Sequence, residues 1–371
     1  MSDLFFYGTL RHMPLLKLVL GRASSQLDIS QASLSDHAVY GVQDQVFPMI
    51  LREDGGVARG LLVKGLSDED RKRLIYYEGG FDYDLSPQSV DLPDGSKAQA
   101  SVFYPEPGLW TPDQPWSLQE WADEWGELTV LAAQEVMAYY GRVDADRIER
   151  SFPSIRTRAW AKLDARKRST GDPRDIAKDV IVHSHTHAYI DYFGMEEIAL
   201  QHRQHDGSMG KTLNRSGLMQ GSAVIVLPYD PLRDTVLLVE QFRAPIFLAD
   251  DPEPWMWEPV AGMIDPGETP EQAALREAEE EAQITLDRLE NAGGAYSSSG
   301  SSTEYVYLFV GLADLTKTIE DGGLATEGED IRTQILPYQD FMDRVDSHGF
   351  KDLPLLALAH WLARHRDRLR G

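Results

Sequence analysis

One stretch constrains this chain more than any other: GMIDPGETPEQAALREAEEEAQI, from Gly262 to Ile284. Thr269 has the side chain of an N-cap, Pro270 suits the first helical position, and Gln272 stands where a capping box is completed. A helix over 270–283 follows, with Ala274, Leu275, Ala278 and Ala282 as its apolar stripe. Small residues in that stripe let a helix pack close to a sheet. Glu277, Glu280 and Glu281 stand three and four positions apart, so their carboxylates project from one flank. Like charges at that spacing destabilise a helix by roughly 0.2–0.5 kcal/mol per pair, and Glu279 adds to the field. A solvated acidic face accounts for glutamates alone. A hard divalent cation would reverse the sign of the repulsion, and oxygen-only ligands favour magnesium or manganese.

Composition narrows the rest. The 371 residues suggest about two domains, and 42% apolar content is enough for each to bury a core. Lys and Arg number 36 against 60 Asp and Glu, a net charge of −24. That balance argues against nucleic acid and against an anionic membrane surface, both of which need cations. The absence of cysteine removes disulfides, thiolate nucleophiles and Cys-type zinc sites. The apolar start is broken by Asp3, Arg11, His12 and Lys17, so neither a membrane span nor a signal peptide is expected and the cytoplasm is the default.

The first part of the chain reads as mixed and largely β. A strand over 3–10 turns at Gly8, and short apolar runs follow at 60–63 and 100–104. From 117 to 140 the period becomes helical, through Trp121, Trp125, Leu128, Leu131, Ala132 and Val136. The polar segment from Asp144 to Pro173 reads as a connection, in part helical. Strands are expected over 180–192, 198–205, 223–227, 236–242 and 305–310, and a final helix over 353–369. Arg364, Arg366, Arg368 and Arg370 there suit the negative end of a helix dipole.

The acidic stretch as a whole resembles the Nudix box, with Gly262, Glu268, Arg276, Glu277, Ala278, Glu280, Glu281 and Ile284 in register. Gln283 departs from the pattern, standing where the family has a glycine that ends the helix in a left-handed conformation. The resemblance implies an α/β/α sandwich with Glu277, Glu281 and the carbonyl of Ala261 as metal ligands, Glu280 assisting, and Arg276 bracing Glu268. The cofactor it implies is Mg2+, with Mn2+ as a substitute.

Over roughly residues 185–370 the flanks LPYDPLRDTVLLVEQFR, EPVAGMI and EGEDIR look like the ADP-ribose pyrophosphatase branch of that family. Carried over residue by residue, Glu327 is the catalytic base on a closing loop and Glu329 a further metal ligand. Arg215, Arg243, Glu304, Met263 and an aromatic at Phe193 or Tyr192 contact the substrate. Such relatives form homodimers and hydrolyse ADP-ribose to AMP and ribose 5-phosphate. A proline typical of the branch is replaced by Ser299-Gly300, which leaves another nucleoside diphosphosugar or NADH open. A non-catalytic ADP-ribose sensor is the competing class, and the complete carboxylate set argues against it.

FFYGTL near the start resembles the opening of the gamma-glutamylcyclotransferase-like family, a mainly β barrel. Tyr7, Gly8, Thr9 and Leu10 match its substrate-binding loop, and Glu78 its acid–base glutamate. An inactive scaffold is the alternative. The implied division is 1–150 for that domain, 151–176 for a connecting segment and 177–371 for the Nudix domain, an α+β chain in all. The domain order resembles that of tellurite-resistance proteins, although nothing in a cysteine-free chain explains tellurite chemistry. His183, His185 and His187 alternate, so a strand would place all three on one face as a zinc site, but exposed histidines without a ligand role are the expectation there.

Overall fold

A computed structural model describes residues 3–23, 27–78, 83–168, 171–316 and 330–371. The chain divides into two units, Met1–Ala159 with Ser169–Arg215, and Trp160–Arg168 with Ser216–Gly371.

In the first unit the strands are β1 (Leu4–Phe6), β2 (Asp28–Val42), β3 (Pro48–Lys64), β4 (Tyr83–Asp91), β5 (Lys97–Pro105) and β6 (Pro112–Pro115), with helices α1 (Met13–Leu20) and α2 (Asp68–Glu78) between them. The pairing order β3-β1-β5-β4-β2 returns from β2 to β3, which closes a five-stranded barrel, and β6 extends β2. Closure leaves no free edge among those five strands. β1 is the short staple: Phe5 stands opposite Leu62 of β3 and Val102 of β5. All three are fully buried, in a core shared with Ala32, Leu34, Ile50 and Ala58.

Three helices follow: α3 (Leu118–Trp121), α4 (Glu127–Ala138) and α5 (Ala145–Lys167). A π-helical turn at Ala122–Gly126 joins the first two. The segment expected to connect domains is thus mostly one long helix. Its polar surface hides a buried line of Ile148, Ile155 and Ala159, together with Arg158, which binds Glu135.

A short helix α6 (Ile176–Asp179) leads into a three-stranded sheet of β7 (Val180–Ile190), β8 (Gly194–His202) and β9 (Leu213–Met219). Residues 177–215 cluster with the first unit, which differs from the division expected from sequence. Hydrogen bonds explain the difference. Tyr139 donates its hydroxyl to the Tyr189 carbonyl at 2.7 Å, Arg142 donates to the His187 carbonyl at 3.0 Å, and Arg158 donates to the Tyr192 carbonyl at 2.9 Å.

The second unit contains β10 (Ala223–Asp230), β11 (Thr235–Phe242), α7 (Ala244–Leu248), β12 (Trp255–Glu258), β13 (Val260–Met263), α8 (Pro270–Ala282), β14 (Arg288–Tyr296), β15 (Tyr305–Leu312), β16 (Arg332–Pro337), α9 (Tyr338–Asp346) and α10 (Leu353–Arg370). β10 pairs parallel with β15 and antiparallel with β11 and β13. Every residue of β10 is buried, as a strand covered on both faces requires. Ala223, Ile225, Leu227 and Tyr229 share a core with α9 and α10, whereas Val224 and Val226 share another with α8. The result is an α/β/α sandwich. Three of the terminal arginines are held by particular acids: Arg366 and Arg370 pair with Asp234, and Arg368 with Glu290. Among the described residues no helix is long and apolar enough to cross a membrane.

Candidate active site

The acidic helix α8 starts as its sequence dictates. Thr269 accepts a hydrogen bond from the Gln272 backbone, and the Gln272 side chain returns one from the Thr269 N–H, a complete capping box. The helix ends at Ala282, and Gln283 adopts the left-handed conformation (φ 49°, ψ 39°) that the missing glycine would have taken. A non-glycine residue bears that strain at modest cost.

The buried stripe is rotated from the one expected. Ala273 is buried and Leu275 is 46% exposed. The rotation brings Glu277 and Glu281 inward, at 9% and 2% exposure, beside Ala274, Ala278 and Ala282. A 13-residue helix therefore packs two carboxylates against the sheet, between its own alanines and β13. Glu281 accepts the Ala261 N–H at 3.0 Å and the Gln241 amide at 3.5 Å. Arg276 offsets part of the repulsion. It donates to both oxygens of Glu268 at 2.9 Å, to Glu277 at 2.7 Å, to Glu280 at 3.0 Å and to the Met263 carbonyl at 2.9 Å. Burial acts to raise the Glu268 pKa, but the Arg276 guanidinium holds it below the usual carboxylate range. The bracing of the loop expected of Arg276 is present.

The site fits a hard divalent cation. A Cβ on Gly262 would lie 1.9 Å from the Glu277 carboxyl carbon, so the carboxylate keeps its place against β13 because residue 262 is glycine, and a side chain there would push it aside. The donors gathered here are oxygens alone, the set that magnesium or manganese takes.

Other expected residues are more dispersed. Arg243 forms a two-pronged ion pair with the buried Glu258, at 2.6 to 3.1 Å. Near that pair, burial pushes the Asp352 carboxyl up to about 6. Glu258, Gln241 and Asp352 carry no motif of their own in the sequence. Their one signal was a polar residue inside or beside an apolar run, as in MWEPVAG. Glu304 accepts from Gln220 at 3.4 Å, and Met263 packs against the core beneath α9 and α10. Tyr192 and Phe193, edge to face at 4.9 Å, and Arg215 belong to the first unit. Glu327 and Glu329 lie outside the described residues.

The first unit holds a cavity of its own. A cavity of about 280 Å³ is lined by Tyr7, Gly8, Thr9 and Leu10 at the end of β1 and by Glu78 at the end of α2. Desolvation pushes the Glu78 carboxyl up to about 7. The remaining wall is mostly apolar and includes Phe47 and Trp121, with Phe152, Pro153 and Arg156 contributed by α5. Those α5 residues were not legible as a site, because helical periodicity alone does not say which cavity a helix covers.

Known families match both parts of the chain. The model of the NUDIX domain matches residues 219–357. An ADP-ribose pyrophosphatase of Escherichia coli is 32% identical over 193 residues, which are 52% of this chain and 92% of that protein. The chain belongs to the Nudix family. A Haemophilus influenzae ADP-ribose pyrophosphatase is 38% identical over 40% of this chain and 69% of its own length. A GDP-mannose pyrophosphatase of Yersinia pestis is 31% identical over 39% of this chain and 73% of its own. The matched region contains the whole of β10 to α9, so this Nudix hydrolase carries its carboxylate cluster within the matched fold. Nudix hydrolases generally use divalent metal ions. Ahead of the Nudix unit, residues 4–123 match the model described as gamma-glutamyl cyclotransferase, AIG2-like. Residues 152–156 of the barrel cavity lie beyond that match.

Proposed function

We propose that the Nudix unit hydrolyses the diphosphate of ADP-ribose to AMP and ribose 5-phosphate with Mg2+, Mn2+ being able to replace it. The observation that carries this reading is the pair of buried carboxylates, Glu277 and Glu281, with the Glu277 carboxylate seated directly over Gly262 of β13. Glu277, Glu281, the Ala261 carbonyl and Glu329 would hold the ion, with Glu280 beside them. When bound, the ion supplies charge neutralisation of the diphosphate and a lowered pKa for a coordinated water. Arg276 keeps Glu277, Glu280 and Glu268 in fixed positions. Glu327 takes the proton of the attacking water. Arg243 and Arg215 offer guanidinium groups to the phosphates, and Phe193 or Tyr192 offers an aromatic face to the purine. Glu304 and Met263 complete the contacts. The homodimer is part of the same reading, and light scattering that reports a monomer at micromolar concentration would refute it.

The test is AMP release from ADP-ribose with Mg2+, beside ADP-glucose, UDP-glucose, GDP-mannose and NADH. ADP-ribose is expected to turn over fastest. A better competitor would move the assignment to that substrate, and binding of ADP-ribose without any turnover would favour a sensor.

A second activity is favoured by the barrel cavity, which brings the Tyr7–Leu10 loop and Glu78 to one chamber. There Glu78 would remove a proton from the amine of a γ-glutamyl compound. The amine would then attack its own γ-carbonyl, the γ-glutamyl C–N bond would break, and Glu78 would give the proton to the departing amine as 5-oxoproline is released. The base works deprotonated, so the rate is expected to rise with pH through about 7 and to vanish in Glu78→Gln. A wild-type protein that releases no 5-oxoproline would reduce the barrel to a scaffold.

A further inference from the structure

Strands β7 and β8 bring together a group that neither proposed reaction uses. His185 and His187 stand two residues apart on one face of β7, and Glu196 of β8 is paired directly with His187. The ladder shifts register between Val182 and Ser184 and again between His187 and Tyr189. His183 bonds Gln201 at 2.8 Å and is not part of the group. The Nε2 of His185 lies 2.5 Å from one oxygen of Glu196, and the Nε2 of His187 lies 3.5 Å from the other. The latter distance is too long for a strong hydrogen bond. It is close to the separation of two ligands about one ion with bonds of roughly 2.0–2.1 Å.

We propose that His185, His187 and Glu196 form a binding site for a divalent transition metal, zinc first, separate from the Nudix carboxylates. All three donor atoms lie within 4.8 Å of one another, so small side-chain movements bring them to a common centre. Two imidazoles and a carboxylate are a donor set that zinc takes, whereas magnesium avoids nitrogen. The Tyr139 ring packs edge-on against His187 at 5.8 Å, and its hydroxyl is fixed on the Tyr189 carbonyl, which limits how far that imidazole turns. His185 is 43% exposed along its side chain, His187 16% and Glu196 11%. An ion therefore reaches the site from solvent and keeps water on its open side.

The experiment titrates full-length protein, stripped with a chelator and dialysed free of it, with Zn2+ against a chromophoric chelator. One competing zinc per chain is expected, and it should persist in the Glu277→Gln, Glu281→Gln double variant. His187→Gln should weaken it by at least about tenfold, His185→Asn likewise, and His183→Gln not at all. Matching circular dichroism spectra separate loss of a ligand from loss of fold. Absence of a competing zinc in the wild type overturns the proposal. So does unchanged affinity in His187→Gln, loss in His183→Gln, or loss in the Nudix double variant.

Discussion

Glu281→Gln is expected to remove the metal-dependent hydrolysis while leaving the fold intact. Glu281 is 2% exposed and holds the Ala261 N–H on one oxygen and the Gln241 amide on the other. Glutamine is nearly isosteric. Its oxygen can keep the Ala261 bond, and Gln241 can turn its own amide to accept from the new NH2 group. Burying a neutral amide also costs less than burying a carboxylate. The variant should therefore melt at or above the wild-type temperature. Activity should fall by at least about 100-fold, the upper end of what is seen when a partner one shell farther from a metal is lost. AMP release under saturating Mg2+ measures it. Retention of wild-type activity would remove Glu281 from the metal set.

The largest stability effect is expected from Arg158. It donates to Glu135 at 2.6 and 2.9 Å and to the Tyr192 carbonyl at 2.9 Å, with both charged residues almost wholly buried. Arg158→Met leaves the Glu135 carboxylate without its partner, a change that typically costs about 3–5 kcal/mol. For a unit of this size that lowers the melting temperature by roughly 10 °C. Replacing both partners, Arg158→Met with Glu135→Leu, should recover most of the loss, because no charge is then stranded. Calorimetry of the single and double variants decides it. A double variant no more stable than the single would mean that the bond to the Tyr192 carbonyl, and not the charge pair, carries the stability.

The carboxylate cluster was legible because its determinants are local. Caps, helical spacing and the glycine before the loop all fall within Gly262 to Ile284, and the structure reproduces them to within one residue at the helix end. The buried face was legible only in part. An apolar stripe reads Leu275 as inside, whereas the helix turns to bury Glu277 and Glu281 and leaves Leu275 in solvent. Hydrophobicity cannot foresee a rotation that serves buried charge. The segment after Asp144 was misleading for a related reason: its many arginines and aspartates disguised a helix whose single most buried polar side chain, Arg158, is satisfied from another helix.

The sequence by itself determined two kinds of unit in their order, an oxygen-donor cluster on a capped helix, and a loop and glutamate in the barrel. Each depends on neighbours along the chain or on a motif of fixed spacing. Tertiary structure alone decided that Arg243 is held by Glu258, that α5 walls the barrel cavity, and that two of three alternating histidines meet a glutamate across a bulged ladder. Those outcomes rest on strand register and on which buried charges find partners. Both are settled by contacts between residues far apart in sequence, where no local propensity reaches.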